Sequence, residues 1–201
     1  MDRFLNIMMA MDAKNGMGIN NTLPWKLNED ERWFLSISTT TKDPLKRNAV
    51  IIGRLTYESF CKYLTKSFVH WHFIVITSNS LESIKANYEQ SHLDAVRSFD
   101  EAVRMARGFL DDPEKGIESV FVLGGVQPYE QAMASDLVHR IYLTRIFAEY
   151  SCDTYWSNLN LSQFRRIQRS KDEILAELDD QIIEENGVTY QFQVYEFDGK
   201  Q

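Results

Sequence analysis

Asp30 stands among large apolar residues at helical spacing. Asn28 is a good N-cap, and Glu31, three residues on, completes a capping box, so a helix is predicted from Asn28 to about Thr39-Thr40-Thr41. On it, Asp30, Trp33, Phe34 and Ile37 fall at i, i+3, i+4 and i+7, on one face. A carboxylate sharing a buried face either finds donors or has its pKa raised by desolvation, and both outcomes suit a group that handles protons. An acid in a first helical turn also serves the helix dipole. Spacing alone leaves the two readings open.

Phosphate chemistry is the second possibility the sequence offers. Ile52-Gly53-Arg54-Leu55-Thr56 and Leu123-Gly124-Gly125-Val126-Gln127 each follow a short apolar run and lead into a predicted helix. Glycine there lets backbone N–H groups approach a phosphate, and a helix N-terminus favours negative charge. Thr77-Ser78-Asn79 and Arg97-Ser98 add hydroxyls and a cation after other strand-like runs. Read singly, each glycine turn is an ordinary turn; together at strand ends they point to a nucleotide, and Arg54 with Arg97 suits one carrying an extra phosphate. No GxGxxG fingerprint, Walker sequence or nucleophile elbow is present. The four histidines (His70, His72, His92, His139) and two cysteines (Cys61, Cys152) lack metal-ligand spacing, so no metal is expected.

The elements that must position these groups alternate. Phe4–Met11, Ala49–Ile52, Phe73–Ile76, Ala95–Arg97, Val120–Leu123 and Arg140–Phe147 read as strands, the shorter ones apolar enough for burial on both faces. Helices are predicted after Gly53, from a capping box at Ser98-Phe99-Asp100-Glu101 to about Leu110, and from Tyr129 to Ser135 behind Pro128. Asp12 to Asn21, with two glycines and three asparagines, is expected to be a moving loop with positive φ angles. Asn186-Gly187 is the hairpin signal joining Gln181–Glu184 to Val188–Phe197. The result is an α/β fold: a single domain over residues 1–201 with a central, mostly parallel twisted sheet, an antiparallel C-terminal hairpin and flanking helices. A net charge of −7 argues against nucleic acid or an anionic membrane as the main partner. With no apolar run of membrane-spanning length, no leader pattern and two unpatterned cysteines, a cytoplasmic protein is expected.

Taken together, these pieces resemble dihydrofolate reductase of the eukaryotic, monofunctional type over the whole chain. The resemblance rests on Met17-Gly18-Ile19-Asn20-Asn21-Thr22-Leu23-Pro24-Trp25, Asp30-Glu31-Arg32-Trp33-Phe34, Val50 through Ser59, and Phe121-Val122-Leu123-Gly124-Gly125 with Tyr129. Tyr142-Leu143-Thr144-Arg145-Ile146, Asp153-Thr154 and Tyr190-Gln191-Phe192 complete it. It implies reduction of 7,8-dihydrofolate to tetrahydrofolate by NADPH, with hydride transfer to C6 and protonation at N5. It further implies that Asp30 is the acid, with Trp25 and Thr144 holding it. Met8, Met9, Ala10, Leu23, Glu31 and Phe34 would lie at the substrate, as would Ser59, Phe60, Phe68, Trp71, Leu123 and Tyr129. The carbonyls of Met8 and Leu123 would serve ligand amino groups.

For the cofactor, the resemblance implies Ala10, the loop Gly16-Met17-Gly18-Ile19-Asn20-Asn21-Thr22, and Gly53, Arg54, Leu55 and Thr56. It adds Thr77, Ser78, Asn79 and Arg97, and then Gly124, Gly125, Val126, Gln127 and Tyr129, with a cis bond at Gly124-Gly125. Antifolates are expected to bind, and the chain is expected to be a monomer. Two positions depart from the family pattern. Trp71 stands where the family has an arginine that pairs with the folate glutamate, with Lys62, Lys66 or a histidine as partial replacements. Glu31 stands where an apolar residue is usual, either turned back to cap the helix or facing the pocket. Two further readings therefore stay open: a relative reducing a pterin or pyrimidine without the glutamate tail, and a weakly active folate- or nucleotide-binding module.

Overall fold

The computed structural model describes residues 2–63, 69–80, 82–84 and 92–199. Among the described residues, nine strands form one sheet. Six are mutually parallel: β1 (Leu5–Met11), β3 (Arg47–Gly53), β4 (Trp71–Ile76), β5 (Leu93–Val96), β6 (Ile117–Val122) and β7 (Val138–Ile146). β11 (Val188–Phe197) pairs antiparallel with β7, with β10 (Ile182–Glu185) and with β9 (Phe164–Ile167). The order is β10-β11-β7-β1-β6-β3-β4-β5. A separate two-stranded ribbon joins β2 (Gly16–Gly18) to β8 (Thr154–Tyr155). The expected architecture of parallel centre and antiparallel C-terminal edge is the observed one.

Helices α1 (Asn28–Thr39), α2 (Arg54–Tyr63), α3 (Phe99–Asp111) and α4 (Val126–Ala134) cover the sheet. Residues 49–52 of β3 have no exposed surface, as an apolar strand covered on both faces requires. Side-chain alternation in β1 divides the core. Leu5, Ile7, Met9 and Met11 pack with α3 and α4 on one face, while Met8 and Ala10 look the other way, toward Trp25, Trp33 and Phe192. The α1 face is as predicted: Asp30, Trp33 and Ile37 are buried and Phe34 is half-buried. Trp33 stacks on Phe192 at 4.4 Å with rings 7° apart, fixing α1 against β11.

Several boundaries differ from the sequence expectation. α4 begins at Val126, because Pro128 is accepted anywhere in a first turn. The α3 cap is as predicted, with Ser98 Oγ accepting from the Glu101 N–H at 3.2 Å. The α1 capping box is not formed. Leu27 is the N-cap, without a side-chain cap bond, and Glu31 is exposed. Glu185 of the hairpin caps the helix instead, accepting from the N–H of Asn28 at 2.7 Å and of Glu29 at 3.1 Å. A carboxylate brought from another element competes successfully with a local one when tertiary packing has already fixed its position. Asn186 and Gly187, at φ 54° and 76°, make the expected turn that delivers it. Among the described residues no helix is long and apolar enough to cross a membrane, and both cysteines are free.

Candidate active site

Asp30 is 8% exposed, and its surroundings decide between the two sequence readings. Register places Thr144 of β7 beside Ala10 of β1 and Phe192 of β11. From there Thr144 donates its hydroxyl to Asp30 Oδ1 at 2.6 Å. Burial is the largest influence on Asp30 and raises its pKa to about 6; Glu185 and Glu31 push the same way, while Thr144 and the Trp25 indole oppose. Trp25, 7% exposed, packs against Tyr150, and its N–H has no protein acceptor at hydrogen-bond distance among the described residues. Its influence on Asp30 is therefore that of a nearby dipole rather than a direct bond. This is a buried, oriented carboxyl poised near neutrality, not a dipole partner on a surface helix.

Around it, the structure gathers part of the predicted substrate set. Met8 and Leu123 are buried on the same core face as Asp30's neighbours, with Ala10, Phe34 and Phe60 packed against them. Phe34 and Phe60 meet edge to face at 5.8 Å. Leu23 is half exposed. Met9 departs from expectation, since strand alternation sends its side chain into the opposite core layer. Trp71 departs too. It has no exposed surface, and its indole N–H donates to the Ser38 carbonyl at the end of α1, at 2.9 Å. It therefore seals α1 to β4 and cannot reach a ligand. The Met8 carbonyl is already engaged by the Tyr129 hydroxyl at 2.8 Å, leaving it one lone pair. Phe68 and Lys66 lie outside the described residues.

The glycine turns meet. β3 and β6 are neighbours, and the Gly53 N–H donates to the Gly124 carbonyl at 2.7 Å. Gly124-Gly125 is cis, as the family resemblance implies. Gly124 has φ +117°, where a Cβ would stand 3.3 Å from the Tyr129 hydroxyl; a Cβ on Gly125 would stand 3.3 Å from Thr56 Oγ1. The turn is thus bare backbone by necessity, facing the first turn of α2, where Arg54, Leu55 and Thr56 begin the helix. Arg54 pairs with Glu58 at 2.7 Å. Arg97 bonds the carbonyls of Thr77 and Ser78, and the Thr77 hydroxyl accepts from the Asn79 N–H at 3.0 Å. Val126 and Gln127 open α4 beside this turn. Bare backbone, a helix N-terminus and two guanidiniums are a donor set that fits a nucleotide phosphate chain.

The Asp12–Asn21 segment is more tightly held than its composition implies. Asn15, Asn20 and Asn21 do take positive φ. Asp12, fully buried, accepts from the N–H of Lys14, Gly16 and Tyr150 at 2.7–2.9 Å. Asp153 accepts from the Asn20 N–H at 2.7 Å, and its own N–H donates to Gly18. On the other side, Asn21 donates to the Leu55 carbonyl and accepts from Ser59 Oγ at 2.8 Å, so Ser59 ties the loop to α2. Met17 and Ile19 are half-buried beneath the loop, and Thr22 bridges back to Ile19. Sequence pattern assigned Asp12, Glu185 and Tyr190 no role at the site. The one signal for Glu185 was its place immediately before the Asn186-Gly187 turn.

The sequence profile of the family described as "Dihydrofolate reductase" matches residues 4–196. The chain is 32% identical to the dihydrofolate reductase of Aedes albopictus, over 95% of this chain and 96% of that one. It is 30% identical to that of Rattus norvegicus, over 98% of each. Among solved structures, Schistosoma mansoni dihydrofolate reductase superposes with a TM-score of 0.74 at 27% identity, covering 98% of this chain and 100% of that one. A match across essentially the whole chain, to a fold that puts Asp30 against Thr144 and Gly53 against Gly124, means that the chain belongs to the dihydrofolate reductase family of oxidoreductases.

Proposed function

We propose that this enzyme reduces 7,8-dihydrofolate to tetrahydrofolate with NADPH, and that Asp30 is the group that binds and protonates the pterin. The observation that carries the assignment is the 2.6 Å bond from Thr144 to a buried carboxyl whose pKa is about 6. At pH 7 such a group is protonated in roughly a tenth of molecules, enough to supply protons without being permanently neutral. When ionised, its oxygens accept from the amino group and ring nitrogen of a pterin; when protonated, it promotes delivery of a proton to N5. Thr144 fixes one oxygen, so the other stays turned to the ligand.

NADPH, when bound, would supply hydride chemistry at C6. This chain's residues would hold it. The backbone at Gly124-Gly125 with Tyr129 would serve the nicotinamide, the first turn of α2 would take the phosphates, and Arg97 with Thr77 and Ser78 would hold the extra phosphate. The Gly16–Thr22 segment, pinned to Asp153 and to Ser59, keeps water from the reacting atoms. The site forms in one chain, and we propose that the enzyme works as a monomer.

Asp30→Asn tests the reading. Steady-state turnover of dihydrofolate at pH 7 should fall by at least about a hundredfold, the usual size of general acid–base assistance. NADPH affinity, measured by fluorescence titration, should stay within twofold of wild type, since no cofactor group depends on Asp30. Unchanged turnover would remove Asp30 from the mechanism.

A further inference from the structure

We propose that Glu185 is a positioning residue for the reaction: bound across the first turn of α1, it places a fixed negative charge behind Asp30 and sets the pH at which Asp30 takes up its proton. This rests on the reading of Asp30 as the proton-handling group. The contacts are specific. Glu185 Oε1 accepts from the Asn28 N–H at 2.7 Å and Oε2 from the Glu29 N–H at 3.1 Å, the two residues immediately before Asp30. The Tyr190 hydroxyl donates to Oε2 at 3.1 Å, and Asn186 reaches the Lys26 carbonyl at 3.3 Å, so the hairpin grips the helix start at several points.

The helix has no side-chain cap of its own. Without Glu185, the positive end of the α1 dipole and two unpaired N–H groups would face Asp30's turn and favour its ionised form. With Glu185 in place, that positive end is neutralised and the carboxylate adds repulsion of its own. Both effects hold Asp30 toward the protonated form. The other groups acting on Asp30 are Thr144 from β7, Trp25 from the preceding segment and Glu31 on α1, with Tyr190 of β11 feeling both Asp30 and Glu29. Of the acids, Glu29 is paired with Arg32 and Glu31 is exposed. Glu185 itself stays ionised. Burial opposes its charge, but the N–H groups of Asn28 and Glu29 with the Tyr190 hydroxyl outweigh it and hold its carboxyl below the usual range.

The test compares Glu185→Gln and Glu185→Asp with wild type by two readouts. One is the titration of the Asp30 carboxyl by 13C NMR in the ligand-free protein. The other is the pH profile of kcat/KM for dihydrofolate with NADPH. Glu185→Gln should move both midpoints to lower pH by about half a pH unit, lowering kcat/KM above pH 7 roughly threefold, as expected for losing one nearby charge. Glu185→Asp, which keeps the charge, should bring both midpoints back toward wild type. If Glu185→Gln melts at lower temperature but titrates like wild type, Glu185 is only a helix cap and the proposal fails. If the NMR midpoint moves while the kcat/KM profile does not, the link to Asp30 stands and the catalytic assignment of Asp30 is what fails.

Discussion

Thr144 donates to Asp30 at 2.6 Å across 114 residues of chain. The bond joins the carboxyl-terminal part of a central strand to the first turn of a helix, and it converts an acid on an apolar helix face into an oriented acid. A bond of this kind favours the ionised form, so it partly offsets the desolvation that raises Asp30. Thr144→Val, nearly the same size, should therefore move the kcat/KM profile to higher pH. It should also lower its maximum about tenfold to a hundredfold, the loss expected for a hydrogen bond to a charged group. Steady-state kinetics from pH 5 to 9 measure both.

Burial of Asp30 also has a stability consequence with a definite sign. Its folded pKa, about 6, lies above the ordinary aspartate value of 3.8. Below about pH 3 both folded and unfolded forms are protonated, and the group is neutral in its effect. As pH rises to 6 the unfolded chain ionises first, so the folded state loses stability, by about 3 kcal/mol once both are ionised. Asp30→Asn should melt higher than wild type at pH 7.5, and the difference should vanish below about pH 3 in calorimetry.

Gly124 answers to backbone geometry. At φ +117° with Tyr129 at 3.3 Å from a built Cβ, Gly124→Ala should cost about 1–3 kcal/mol in urea unfolding. It should also weaken NADPH binding, because the cradle beside Thr56 shifts.

Arg97 is anchored on the carbonyls of Thr77 and Ser78 and carries no carboxylate partner in those contacts. Arg97→Ala should raise KM for NADPH by about tenfold, as loss of one charge-assisted contact does, and leave KM for NADH within twofold. Equal effects on both coenzymes would place the extra phosphate elsewhere.

Trp71, with no exposed surface and its N–H on Ser38, is held by the fold rather than by a ligand. Trp71→Phe removes one of two donors on the Ser38 carbonyl, Asn48 Nδ2 keeping the other at 2.8 Å, and leaves a gap, for a loss of about 1–3 kcal/mol. Thermal denaturation reads the loss, and KM for dihydrofolate should change less than threefold.

Much of this molecule could be read from local pattern. The apolar strands, the Ser98 cap, the Asn186-Gly187 turn and the buried face of α1 all depend on residues within a few positions of each other, where periodicity and turn chemistry act directly. The family motifs pointed to candidate site residues in the same way. Asp30, Gly53 and Gly124 are legible because each sits in a short run whose spacing is fixed.

Tertiary structure decided what depends on distant partners. Whether Asp30 was a dipole partner or a buried acid was settled by Thr144 arriving from β7. The α1 cap went to Glu185 rather than Glu31 because sheet packing delivers a carboxylate already in position, while Glu31 would have to fold back onto its own helix. The loop of glycines and asparagines is tethered by Asp12 and Asp153, whose partners lie far along the chain. Trp71 became a seal for the same reason: its acceptor is the end of a helix 33 residues earlier. A sequence specifies its local conformations at short range, but the charges and donors that tune an acid come together only when the sheet assembles them.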